Sequence, residues 1–209
     1  MKTLLQNIHT LVTCDDEDRI LHGADLLLDG GAVAAIGPGL DAPDARVIDG
    51  RALLVYPGLV NTHHHLYQYF TRNLPEVQGM ELFDWLTALY GIWANLDADA
   101  VYQSSLAGMA ELMRFGCTTC FDHHYVFPAG QTGLIDAQFE AAAALGIRLH
   151  ASRGSMRRAA AGFRRAGDGR HPGRQPPPDR DVSRPVAPVH AAGGARAVLA
   201  VLRHGGPAA

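Results

Sequence analysis

Hydrophobic and polar positions follow one rhythm before Pro57 and another after it. In the first stretch, KTLLQNIHTLVTC, ADLLLDGGAVAAIG and ARVIDGRALLVYP are short β-rich runs, separated by the turn-forming clusters DDEDR, DGG and GPGLDAPD. They predict a small antiparallel, β-sandwich-like domain over residues 1–56. From residue 57 the pattern lengthens. LVNTHHH reads as a compact strand and MELFDWLTALYGIW has helical spacing. DADAVYQSSLAGMAELMRFG reads as a longer helix with Asp97 as its N-cap and Gly116 as its stop. The strand CTTCFDHH, the helix GLIDAQFEAAAALG and the strand IRLHAS then complete three strand–helix alternations by residue 156. Such alternation predicts an α/β class with parallel strands, and behind a small β domain it favours a β/α barrel over an open sheet. No G-x-G-x-x-G or phosphate loop follows any strand, so nothing supports a nucleotide-cofactor fold.

Charge divides the chain again. Residues 1–156 carry 8 basic and 18 acidic side chains, a net of −10, whereas residues 157–209 carry 10 Arg, 3 Asp and neither Lys nor Glu, a net of +7. This last part, RRAAAGFRRAGDGRHPGRQPPPDRDVSRP and onward, is built mainly of Arg, Ala, Gly and Pro. Those four have codon families that begin with two G/C bases, so GC-rich coding DNA read out of frame yields the same mixture. The leading reading of residues 157–209 is a frameshift product beginning near Met156 and forming an irregular tail. A natural Pro/Arg-rich tail and a basic nucleic-acid arm are the alternatives. The arm is disfavoured because the cations are scattered among prolines without interleaved aromatics. Only ARAVLAVL, near the end, has the makings of a short helix or strand.

Other classes fall away on composition. No apolar run approaches the roughly 20 residues of a membrane helix, and acids stand where a signal peptide would be cleaved, so the expected location is cytoplasmic, without membrane or nucleic-acid partners. Cys14, Cys117 and Cys120 are an odd set with no disulfide framework. The C-x-x-C they contain sits in a strand-like run rather than a strand-to-helix redox turn.

The candidate chemistry lies in PGLVNTHHHLYQ, residues 57–68. Strand side chains alternate faces, so His63 and His65 point the same way and His64 the other. Two imidazoles on one face at the C-terminal mouth of a barrel strand can share one divalent ion, zinc or iron being suited to imidazole. A polar cluster capping the strand end is the bland alternative. His123 and His124 close the next strand beside Asp122, and one of them is expected to face the pocket.

ALLVYPGLVNTHHHLYQ behind a small β domain resembles the amidohydrolase superfamily, in the branch of cytosolic nucleobase deaminases and triazine chlorohydrolases. LYQYFTRNLPEVQGMELFDWL and RFGCTTCFDHHYVFP are most similar to the 8-oxoguanine deaminases within that branch. The resemblance spans about residues 3–156. It implies a metal-dependent TIM barrel, of which residues 57–156 are the first three βα units, and hydrolytic deamination of a purine-type free base such as 8-oxoguanine by metal-activated water. It implies one divalent ion, zinc with iron as the alternative, held by His63 and His65. It further implies that Gln68 contacts the base by amide hydrogen bonds, and that the parent enzyme is a homo-oligomer. Trp93 stands at or near the place where relatives acting on nucleosides carry a ribose-holding acid; an indole stacks on a flat base but cannot accept ribose hydroxyls. Gln68, Trp93 and His123 are therefore the expected substrate-binding residues, with Trp85 more readily a core residue.

The departures from the family pattern weigh as much. The family's further histidine ligands, its acid/base carboxylate and its late-strand aspartate have no match here. His171, His190, His204, Asp168, Asp179 and Asp181 lie in surroundings that fit no family motif. A catalytic zinc takes three protein ligands, so the chain by itself is expected to be inactive and unstable. A triazine-type hydrolase of the same fold, and a non-catalytic remnant with a polyanion-binding tail, are the competing readings. Reading the source DNA in three frames across codons 150–209 decides the frameshift. The expected result is another frame that restores a histidine-bearing strand and leads on to an aspartate; an error-free tail frame with no such alternative refutes it.

Overall fold

The computed structural model describes residues 1–154 and the backbone of 199–203; the rest of the Arg/Pro-rich segment, with the expectations placed on it, lies outside the described residues. The described chain forms two compact units.

The first unit takes residues 1–60, 114–118 and the strand at 199–203. Its strands are β1 (Thr3–Ile8), β2 (Thr10–Val12), β3 (Ile20–Leu21), β4 (Ala24–Asp29), β5 (Ala32–Gly37), β6 (Arg46–Asp49) and β7 (Leu53–Pro57), with β11 (Leu199–Arg203) from the far end of the chain. They make two four-stranded sheets, ordered β5-β4-β1-β6 and β11-β7-β2-β3. The hairpin β4–β5 turns on Gly30 and Gly31, both at positive φ, as a two-residue reversal requires. Both sheets are mixed, which corrects the antiparallel expectation: β1 pairs parallel with β6, and β2 with β7. Local hairpins give antiparallel neighbours, but β6 and β7 return to the first strands only after the β4–β5 excursion and so run alongside them. Leu5, Ile8, Leu11, Leu26 and Val55 form the core, drawn from both sheets. A bulge in β1 puts Asn7 at positive φ, and the buried Asp25 carboxylate accepts the amides of Asn7 (2.7 Å) and Leu40 (2.9 Å). ARAVLAVL supplies a strand: β11 pairs antiparallel with β7.

The second unit comprises 61–113 and, among the described residues, 119–154. Its sheet is ordered β10-β9-β8, from β8 (Leu59–His64), β9 (Cys117–His124) and β10 (Arg148–Arg153). β9 and β10 are parallel, joined by helix α3 (Leu134–Leu145). Between β8 and β9 come two 3-10 turns (Leu66–Thr71 and Pro75–Val77) and helices α1 (Leu82–Trp93) and α2 (Ala98–Arg114). The sequence signals work as expected here: Asp97 Oδ1 accepts the Ala100 amide at 2.8 Å as an N-cap, and Gly116 at φ 89° follows the helix end. Along β9 burial alternates strictly, with Thr118, Cys120, Asp122 and His124 buried and their neighbours half-exposed. Cys120 packs with Leu66, Met109, Ala141, Ala142 and Ile147, and none of the three cysteines forms a disulfide. Among the described residues no helix is long and apolar enough to cross a membrane.

Gly50 has no room for a side chain. A Cβ there would lie 2.8 Å from the Gln6 carbonyl oxygen and 2.8 Å from Ile8 Cα, both backbone atoms that cannot swing aside. Gly50→Ala is expected to destabilise the first unit by about 1–3 kcal/mol, read as a lower urea midpoint at unchanged slope.

Candidate functional site

Strand β8 ends in three histidines, and its period of two separates them. His63 and His65 share one side, with their Nε2 atoms 3.2 Å apart. His64 faces the other way, half-buried, and its Nδ1 has no partner. Burial, with His65 and His63 as near neighbours, holds His64 below the ordinary histidine value.

His65 is further constrained. Its Nδ1 lies 2.7 Å from the His123 carbonyl oxygen, and a carbonyl only accepts, so Nδ1 carries the hydrogen. In the neutral ring Nε2 is then a bare lone pair aimed at His63. Metal-ligating histidines characteristically donate their other ring N–H to a carbonyl or carboxylate in this way. Two nitrogens bound to one tetrahedral zinc at about 2.0–2.1 Å stand about 3.3–3.4 Å apart. The observed pair therefore fits two adjacent corners of such a site. Among the described residues no third His, Cys, Asp or Glu joins them.

The remaining expected residues divide. The His123 ring lies beside the pair, its centroid 4.7 Å from that of His63, with Nδ1 3.5 Å from Ser152 Oγ. Gln68 donates from Nε2 to the hydroxyls of Tyr125 (3.1 Å) and Tyr67 (3.3 Å). It lines a cavity of about 250 Å3 with Thr71, Arg72, Asn73, Gln78 and Trp85. Trp93 is placed elsewhere. It is 1% exposed, its N–H donates to Thr71 Oγ1 at 3.2 Å, and Tyr67, Trp85 and Tyr90 meet it edge-on. With those rings around it the indole has no open face for a base, and Trp85 is the tryptophan at the cavity. Sequence spacing could not separate the two, since both fall on the helical stripe of α1.

Behind the histidines sits a polar group that the sequence reading passed over in part. Asp122, His124 and Gln138 are each fully buried. Asp122 Oδ1 accepts the Leu66 amide at 2.6 Å, and Oδ2 accepts from Gln138 Nε2 at 2.7 Å. Gln138 Nε2 also lies 3.5 Å from His124 Nδ1, and His124 Nε2 donates to the Val126 carbonyl at 2.9 Å. Burial raises the Asp122 carboxyl above the ordinary value against the pull of the Leu66 amide and Gln138. Burial pushes His124 down to about 4. A lone glutamine in the apolar stripe of α3, beside Ala137, Ala141 and Ala142, was the available signal for Gln138.

Comparison with known proteins shows the family. The profile of the Amidohydrolase family matches residues 54–194. The chain belongs to the amidohydrolase family. It is 42% identical over 167 residues to hydroxydechloroatrazine ethylaminohydrolase of Pseudomonas sp. (strain ADP), covering 74% of this chain and 35% of that protein. It is 39% identical over 157 residues to 8-oxoguanine deaminase of Pseudomonas aeruginosa, covering 74% and 34%. A solved structure, atrazine chlorohydrolase from Arthrobacter aurescens TC1 complexed with zinc, superposes with a TM-score of 0.69 at 34% identity, over 72% of this chain and 35% of that one. The chain spans about a third of the length of the curated relatives it matches.

His124 gives this amidohydrolase segment a pH dependence with a definite sign. Between the ordinary value of 6.5 and about 4 the unfolded chain binds a proton that the native chain refuses. The stability is complete above pH 6.5 and is lost as pH falls through that window, by about 3 kcal/mol in all. Asp122, raised, works in the opposite sense. The comparison is therefore wild type against His124→Gln: urea melts from pH 7.5 to 4 are expected to fall more steeply in wild type, and parallel curves would remove His124 as the cause.

Proposed function

We propose that this chain carries the first part of an amidohydrolase active site for hydrolytic deamination of a purine-type free base such as 8-oxoguanine. The observation that carries the reading is the His63–His65 pair, with Nε2 atoms 3.2 Å apart and the His65 tautomer fixed by the His123 carbonyl. The family and the zinc-complexed neighbour support a divalent ion, and the proposal assigns it to that pair. When bound, such an ion activates water for attack on an electrophilic ring carbon.

The chain's own residues do the rest that can be derived. His63 and His65 each offer Nε2 to the ion. The His123 carbonyl keeps the His65 hydrogen on Nδ1, so that Nε2 stays free of it. Gln68 presents an amide whose donor end is occupied by two tyrosine hydroxyls, which leaves its carbonyl oxygen to accept from a base N–H. Among the described residues no carboxylate lines the cavity beside it, so no single acid there accepts two ribose hydroxyls, and this favours a free base over a nucleoside. A catalytic zinc takes three protein ligands and an open position, and the described residues give two. Turnover therefore needs a ligand and an acid/base group from beyond them. The family resemblance extends the reading to a cytoplasmic, homo-oligomeric enzyme.

A second reading has equal standing: hydrolysis of an amino- or chloro-substituted triazine. The 42% identity to hydroxydechloroatrazine ethylaminohydrolase and the likeness to atrazine chlorohydrolase favour it. Both readings replace a substituent on an electron-poor nitrogen heterocycle with oxygen, and the same two histidines serve both.

The test uses the full chain loaded with zinc or iron. His63→Asn and His65→Asn are each expected to weaken metal binding by more than about 100-fold. Tighter binding of 8-oxoguanine than of an amino- or chloro-triazine by the metal-loaded chain, or the reverse, separates the two substrate readings without requiring turnover. Equal metal affinity in wild type and both variants would sink the metal site altogether.

A further inference from the structure

The turn after β8 is held from β9 at two consecutive positions. The His123 carbonyl takes the Nδ1–H of His65, and the Asp122 carboxylate takes the backbone amide of Leu66. Leu66 opens the first 3-10 turn, where an amide has no partner within the turn, and His65 at the N-cap makes no side-chain cap bond. Asp122 therefore supplies from another strand the cap that the local sequence lacks. Because β9 alternates, its side chain does this from the helix side of the sheet while His123 lies on the histidine side.

Asp122 is itself clamped. Gln138 from α3 holds its other oxygen, and the same Gln138 amide reaches His124, which is tied to the Val126 carbonyl. Neither carboxylate oxygen is free to rotate away. The Leu66 amide is thus fixed through fully buried groups, and the adjoining His65 ring inherits that position.

We propose that Asp122 is a positioning residue for His65: by holding the Leu66 amide it sets the turn so that His65 meets the His123 carbonyl through Nδ1 and presents Nε2 beside His63. The carboxylate makes no hydrogen bond to the imidazole pair and does not line the cavity beside Gln68, so its grip on the turn runs through the backbone, beside a weaker charge interaction with His65. Asp25 offers an internal comparison, being a second buried aspartate that accepts two backbone amides, in the first unit.

The proposal rests on the metal reading for its affinity measurement only; the tautomer measurement is made on metal-free protein and stands apart from it. The full chain, labelled with nitrogen-15 histidine, is compared as wild type, Asp122→Ala, Asp122→Asn, Gln138→Met and Asp25→Ala. Wild type is expected to show His65 as a single Nδ1–H tautomer, and Asp122→Ala a mixture with zinc affinity lower by about 10–100-fold. Asp122→Asn is expected to restore both, because its amide oxygen still accepts from Leu66 while its NH2 donates to the Gln138 Oε1, unpartnered in the native network, once the Gln138 amide turns over. Gln138→Met, which removes the clamp on the Asp122 carboxylate and so loosens its hold on the Leu66 amide, gives an intermediate mixture and keeps the test open should Asp122→Ala not fold. Asp25→Ala is expected to lower the melting temperature and leave His65 untouched. An unmixed tautomer in Asp122→Ala or, where that variant does not fold, in Gln138→Met overturns the proposal, as does the same mixture in Asp25→Ala. If wild type binds no zinc yet the tautomers change as stated, the metal reading fails and the positioning role stands.

Discussion

The chemistry of the second unit depends on how β8 is held against β9. His65 has a defined tautomer only because the His123 carbonyl lies 2.7 Å from Nδ1, and Leu66 begins its turn where it does because Asp122 takes its amide. Move β9 by one residue and every side chain on it changes face: Asp122 and His124 would turn toward the histidines, and His123 and Phe121 would enter the helix-packed core. Burial resists that slip. Cys120, Met109, Ala141 and Ala142 pack together on one side of β9, and a one-residue slip would force Phe121 or Thr119 into the place of Cys120, overpacking it or burying an unpaired hydroxyl. The apolar contacts of α2 and α3 thus set the register, and the register sets the imidazole pair.

Much of this was legible in the sequence because it rests on short-range periodicity. The alternation that separates His64 from His63 and His65 follows from strand geometry alone, and the structure shows the pair on one side with nitrogens in contact. Asp97 and Gly116 bounded α2 as residue types with a local mechanism, a side-chain acceptor for a free amide and a backbone that tolerates positive φ. What escaped was long-range. The parallel pairings of β1 with β6 and β2 with β7 depend on where the chain returns after an excursion, which no window of a few residues records. Trp85 and Trp93 carry the same helical signal, and only the positions of Thr71, Tyr67 and Tyr90 decide that Trp93 is enclosed while Trp85 borders a cavity. Gln138 was visible as a polar residue in an apolar stripe, but its partners lie 14 and 16 positions away on another element.

The buried group behind the histidines is not a device for stability. Gln138 Oε1 has no partner, and an unsatisfied buried acceptor of this kind costs about 1–3 kcal/mol. The neutral His124 and the desolvated Asp122 add their own opposition to burial. Apolar side chains of similar volume would fill the same space at no such cost. What apolar side chains could not do is accept the Leu66 amide, which the fold buries whatever stands at position 122. An alanine or leucine there would leave that amide unpaired, and the cheapest relief is a shift of the turn that brings it to another acceptor. Such a shift carries His65 with it, since the two residues share a peptide plane. The carboxylate therefore holds a conformation rather than adding to the depth of the fold. The arrangement exchanges a few kcal/mol of stability for one defined orientation of the imidazole next to His63, the orientation in which the His65 Nε2 lone pair faces its neighbour.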